Sequence, residues 1–168
     1  MVKVVALLVA VGVALTPMVA AAQAKIGIAD GFDIIFNSSE GKRLQENLKK
    51  KYEELGRPLQ QKQQSFAKEL ADAEKQAAVM KEEARKRKEQ ELSKKMEELR
   101  KQEADAQKQF AQYEEREKAP LYKKLETAVK DVASESRLDI VLDKRSSGLL
   151  YFDPKFDITD KVRSKFGR

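Results

Sequence analysis

The 168-residue chain has no cysteine, no histidine and no tryptophan. Without cysteine there is no disulfide, no thiol nucleophile and no thiolate metal site. The absence leaves the compartment open, because exported proteins can lack cysteine too. Glycine and proline are scarce, at seven and four residues, and none falls between Leu59 and Ala119. No Gly-rich phosphate loop exists. Asp and Glu are plentiful but scattered along solvated helix faces, so no catalytic constellation assembles and none of the residues is assigned a catalytic, cofactor or metal role. Asp139, Asp143, Asp153, Asp157 and Asp160 lie close in sequence but lack the loop pattern of a calcium site. Strand ends and helix caps account for them better.

What is present is charge. Charged residues make up 37% of the chain and hydrophobic residues 41%, against a charged share of ~25% in an ordinary globular domain. The net charge is +6, which favours anionic surfaces or acidic chains. Residues 40–125 form one long helix-forming stretch rich in Lys, Glu, Gln and Ala. Its sparse apolar residues recur in a 3-4 rhythm: Leu44, Leu48, Tyr52, Leu55, Leu59, Phe66, Leu70, Ala73, Ala77, Met80 and Ala84. A second run comprises Leu92, Met96, Leu99, Ala106, Phe110 and Tyr113. Such stripes make a narrow seam between helices, not a globular core.

The N-terminus predicts export. Lys3 precedes the apolar run Val4–Leu15, Thr16-Pro17 ends it, and Ala22-Gln23-Ala24 is a small-x-small cleavage site. The run is short of the ~20 residues a membrane span needs. Residues 1–24 are therefore expected to be a signal peptide, with the mature chain starting at Lys25. Loss of Lys3 takes the net charge from +6 to +5, so the basic character belongs to the mature protein.

The predicted organisation is a frame, 25–39 and 120–168, interrupted by a helical hairpin arm, 40–119. Residues 25–30 read as a short strand closed by Asp30-Gly31. Phe32, Ile34, Ile35 and Phe36 form an apolar knot expected to be a helical turn on the sheet. Asn37 to Glu40 hold N-cap candidates for the first arm. The return is placed near 77–88 because that divides the arm equally, each half about 40 residues and about 60 Å long. Strands at both ends favour this hairpin over one continuous rod. Gly56-Arg57-Pro58 should interrupt the first arm, as a helix end and restart or as a hinge, because Pro58 removes a donor and disfavours helix at Arg57. Pro120 plays a similar part before Leu121, Leu125, Ala128, Val129 and Val132. Further on, Leu138–Asp143 and Leu149–Phe152 read as two strands of a hairpin. The region 157–160 reads as a helix start, with Asp157 or Thr159 capping and Ile158, Val162 and Phe166 on one face.

These frame segments, in this order around a charged hairpin, resemble the Skp/OmpH family of periplasmic chaperones for outer-membrane proteins. The resemblance rests on Lys25-Ile26-Gly27-Ile28-Ala29-Asp30, on Ala128-Val129-Lys130-Asp131-Val132-Ala133, on Leu138–Asp143 and on Asp157-Ile158-Thr159-Asp160. It spans the whole mature chain. It implies a mainly α fold with a small β frame, and a homotrimer whose short sheets join in a central body. Three hairpin tentacles would then surround a cavity where unfolded outer-membrane proteins are held without ATP or any cofactor. Gly56-Arg57-Pro58 departs from the continuous first-arm helix that the family implies.

The candidate functional residues follow. Arg85, Lys86, Arg87 and Lys88 form the densest basic run, readable as an electropositive tip for anionic clients or lipid head groups. It is equally readable as a solvated face balanced by Glu82, Glu83, Glu89 and Glu91. Phe66, Phe110 and Tyr113 are candidate client contacts, though their heptad spacing favours the seam. Ile26, Ile28, Ile140, Leu142 and Leu150 are expected in the oligomerisation frame, and Gly56 and Pro58 at the hinge. Nucleic acid is not an expected partner, since export removes the chain from it. The expectation is a periplasmic holdase for unfolded outer-membrane proteins. The alternative is a periplasmic coiled-coil scaffold or adaptor bridging envelope components.

Overall fold

The computed structural model describes residues 23–167. The expected signal peptide lies outside these residues, apart from its last two positions. In chain order the elements are β1 (Ile26–Ala29), α1 (Gly31–Asn37), α2 (Ser39–Gln76), α3 (Glu82–Ser136), β2 (Ile140–Asp143), a 3-10 turn (Pro154–Phe156) and α4 (Thr159–Phe166). β1 and β2 pair in parallel, with Ile26 opposite Ile140 and Ile28 opposite Leu142. Parallel neighbours cannot be joined by a tight turn and need a crossover. Here the crossover is the entire helical region, so the long hairpin grows out of the connection between two four-residue strands.

The core sits where the frame elements meet. Ala29, Ile34, Ala128, Val132, Ile158, Val162 and Phe166 are buried together, with Leu125, Leu138 and Val141 packed around them. Ala128 and Val132 on α3 lie at i, i+4, and Ile158 at the cap of α4 with Val162 and Phe166 within it repeat every four residues, so two narrow apolar stripes face each other. Burying Phe166 alone is worth ~1.5–3 kcal/mol. Side chains alternate across a strand. Ala29 and Val141 therefore point into this core, while Ile26, Ile28, Ile140 and Leu142 belong to the opposite face, where Ile140 stays 46% exposed.

The expected strand at Leu149–Phe152, and with it the hairpin, does not form. β2 takes β1 as its partner instead. The Asp143 carboxylate accepts from the backbone N–H groups of Arg145 and Ser146, and Gly148 turns the chain with φ +68°. The far edge of β1 is bridged by Asp157, with Ile158 N–H donating to the Ile28 carbonyl at 2.8 Å. Leu149–Phe152 pairs with neither strand, and Leu150 and Tyr151 are left 102% and 83% exposed. Asp153 caps the 3-10 turn by accepting from Lys155 N–H. Asp157 accepts from Thr159 N–H at 2.9 Å.

α2 and α3 do not break at their prolines. Pro58 lies inside α2 and Pro120 inside α3. Each removes one i→i−4 donor, from the carbonyls of Glu54 and Arg116. The helix end and restart expected at Gly56-Arg57-Pro58 is thus replaced by a continuous 38-residue helix, in which the bonds on either side and the seam with α3 outweigh a local cost of ~3 kcal/mol. Likewise the boundary placed at Pro120 is no break: α3 is 55 residues long and serves as both second arm and frame helix. At 1.5 Å per residue the two helices span about 57 Å and about 82 Å.

Candidate functional site

The arm is the long surface this fold presents, and its root is fixed by a tight corner. Ser38 caps α2, its Oγ accepting from Gly41 N–H at 2.8 Å and donating to the Ile35 carbonyl at 2.6 Å. In the same first turn, Glu40 accepts from Lys124 of α3 at 2.7 Å, and this bond holds its carboxyl down at about 2. Lys124 also lies 4.9 Å from the Phe166 ring centre, so one ammonium ties arm root to frame core.

Along the arm the seam is thin. Tyr52 and Phe110 meet edge to face across the helices, centroids 5.7 Å apart. Phe66 and Leu99 line a second, more distal recess. Leu92 is the arm's most enclosed apolar side chain on α3, at 9% exposure. Beyond Leu59 polar contacts across the arms join these apolar ones. Lys62 donates to Gln102 and Gln63 to Glu103, both at 2.6 Å. Glu69 accepts from both Lys88 and Lys95, at 2.6 and 2.7 Å. Those two ammonium groups, Lys88 first, hold the Glu69 carboxyl down at about 2.

The hairpin turns at residues 77–81, and α3 begins at Glu82. The basic run therefore occupies the first turns of α3. Arg85 faces Glu89 at 3.6 Å and Lys86 faces Glu82 at 3.0 Å. Lys88 pairs with Glu69 and with Glu91. Much of the run thus faces carboxylates of its own chain, and Lys88 serves as a staple between arms. The predicted aromatics are not gathered at this tip. Phe66 and Phe110 are spread along the seam, and Tyr113 carries Arg116 and Lys51 against its ring at 5.1 and 5.9 Å.

Sequence reasoning missed an aromatic platform at the arm root. The apolar knot divides: Ile34 is buried, while Phe32 and Phe36 turn outward at 52% and 46% exposure and stack at 5.1 Å. The Arg145 guanidinium covers Phe32 at 4.3 Å. Leu44, Leu48, Leu121 and Tyr122 continue the groove below them. The i, i+4 spacing of Phe32 and Phe36, offset from Ile34, was the available signal. Among the described residues no cluster of His, Cys, Asp or Glu is arranged to hold a metal ion, and no helix is long and apolar enough to cross a membrane.

A charged helical hairpin on a minimal parallel frame defines a class of extended, arm-bearing proteins, and comparison with known families agrees. Residues 25–166 match the family described as outer membrane protein (OmpH-like). The chain belongs to that family. Among solved structures it is similar to a candidate outer-membrane chaperone, OmpH-like, from Caulobacter crescentus CB15. The TM-score is 0.67 at 18% identity over 87% of this chain and 85% of that one. At that identity the likeness shows the fold. No curated protein matches the chain.

Proposed function

We propose that the chain is a non-enzymatic, ATP-independent holdase of the periplasm that binds unfolded outer-membrane proteins and keeps them from aggregating. The observation that supports this best is the arm itself: two helices of 38 and 55 residues whose apolar side chains are half-covered along their length. Such a surface offers many weak contacts and no single strong one, so different unfolded chains can bind and stay mobile. Release follows from the client's own folding or insertion. Membership of the OmpH-like family and the chaperone description of the Caulobacter neighbour support the same reading.

The working form is a homotrimer built through the frame. β2 has a free edge, Ile140 is half-exposed on the sheet face away from the core, and Leu150 and Tyr151 stand in solvent. Exposed edges and apolar residues of this kind call for a partner. Three arms would then enclose a space, with Gly56 and Pro58 allowing splay. The test is aggregation of an unfolded outer-membrane protein, followed by light scattering, with and without the mature chain. A holdase suppresses the signal at stoichiometric amounts, whereas a scaffold that bridges envelope components leaves it unchanged.

A further inference from the structure

Gly56 is out of place in its helix. A helical glycine costs ~1 kcal/mol relative to alanine, and it persists where backbone geometry or crowding demands it. Neither applies. Gly56 lies within α2 without a positive φ, and nothing comes within 4 Å of the point where its Cβ would stand. Gly27, Gly31 and Gly41 differ, since a Cβ at each would strike a neighbour at under 3.0 Å.

The missing side chain keeps a gap open. About 390 Å³ lies between the arms, walled by Tyr52, Leu55, Leu59, Ala106 and Phe110. On the outer flank of α2 a second space of about 510 Å³ shares Tyr52, Gly56 and Leu59 with it. Gly56 borders both, and the gap is itself half-open to solvent, which gives it an entrance.

We propose that this gap receives one large aliphatic or aromatic side chain of an extended, unfolded polypeptide. The proposal rests on the holdase reading and gives it a first defined subsite. Tyr52, Leu55, Leu59, Ala106 and Phe110 give the gap an apolar and aromatic side, Gln63, Glu103 and Gln107 a polar one, and the space exceeds what one such side chain needs. The entrance is bordered by the carboxamides of Gln60, Gln63 and Gln107, which can both donate to and accept from peptide groups. Glu53 and Arg57 on the same rim carry opposite charges, and Glu103 at the gap accepts from Gln63 at 2.6 Å, so the one unbalanced charge disfavours an anionic ligand. An extended chain satisfies both parts: its side chain enters the gap while its backbone meets the amides.

The chain has no tryptophan, so a Trp-bearing probe reports without background. The probe is a short Gly/Ser-rich peptide with one central Trp, beside its Trp→Ala counterpart. With the intact chain the Trp peptide should bind saturably with blue-shifted emission. Gly56→Leu fills the gap from α2 and Ala106→Leu fills it from α3. Each should weaken binding by about ten-fold while helical circular dichroism and mass in solution stay as in the parent. Unchanged affinity in both variants, or equal binding of the Trp and Ala peptides, overturns the proposal. A change of oligomeric mass in Gly56→Leu would also overturn it, by making a second copy the occupant. The parent's ability to suppress aggregation is scored separately. Suppression with no effect of either variant on the peptide defeats the subsite alone, whereas a specific peptide site without suppression defeats the holdase reading alone.

Discussion

A Cβ placed on Gly41 would lie 1.9 Å from the carbonyl oxygen of Ile35. That carbonyl already accepts from Ser38 N–H and Ser38 Oγ, so the end of α1 and the start of α2 are locked face to face, with no side chain at Gly41 to separate them. The direction in which the arm leaves the frame depends on this contact. Gly41→Ala must push the two helices apart and should destabilise the protein by ~1–3 kcal/mol, the usual range for overpacking. Urea or thermal unfolding checks this. Gly56→Ala, where the space is open, should be neutral or stabilising.

Glu69 should make the distal hairpin acid-sensitive. Its carboxyl is held at about 2 against an ordinary 4.5 by Lys88 and Lys95. A depressed carboxylate contributes stability that is complete above the unfolded value and is lost as pH falls through the folded one. The clamp should therefore weaken between about pH 4.5 and about pH 2. Spin labels on the two arms near the tip should move apart over that window. Glu69→Gln should show the wider spacing already at neutral pH and a flatter acid response.

Assembly should reside in the frame. Ile140→Asp puts a charge at a half-exposed position beside Ile26 and should reduce the oligomer to monomers by sedimentation velocity, with the helical signal largely kept. Trimming both arms equally around residues 77–88 should leave the oligomer intact. A monomeric trimmed protein would place assembly in the arms instead.

Much of this architecture is readable in the residues, and what is not has identifiable causes. β1 is legible because Ile26 and Ile28 alternate between Gly27 and Ala29 beside Asp30-Gly31, and the arms because their apolar rhythm runs over ten turns. The partner of β2 is not, because Ile140 finds Ile26 across 114 positions and local patterning is blind to that choice. Leu149–Phe152 has strand-forming side chains but pairs with neither strand of its own chain, so propensity alone misleads. At Pro58 a sound local rule is outweighed by the helix on either side. The Glu69 clamp depends on hairpin register, set by a turn without Gly or Pro. The open gap at Gly56 depends on which face of α2 meets α3.

Client capture should separate into a salt-sensitive and a salt-insensitive part, and the ion pairs of the tip say where the sensitivity lies. Exposed charges steer an approaching chain over about a Debye length, ~10 Å at 0.1 M salt and ~3 Å at 1 M. Apolar contacts along the seam are not screened in this way. Association with a fluorescent unfolded outer-membrane protein should therefore slow at high salt while dissociation changes much less. Arg85, Lys86 and Lys88 already face Glu89, Glu82 and Glu69, so three of the four cations of the run are offset close by. Replacing Arg85 and Lys86 together with Gln should slow association only modestly. Lys88→Gln should act differently, because it removes part of the Glu69 clamp: its effect should appear in arm spacing as well as in the association rate. Stopped-flow mixing at low and high salt separates these outcomes. If the Arg85/Lys86 pair alone abolished the salt dependence, the tip would be the attracting patch and the net charge of the whole chain would not.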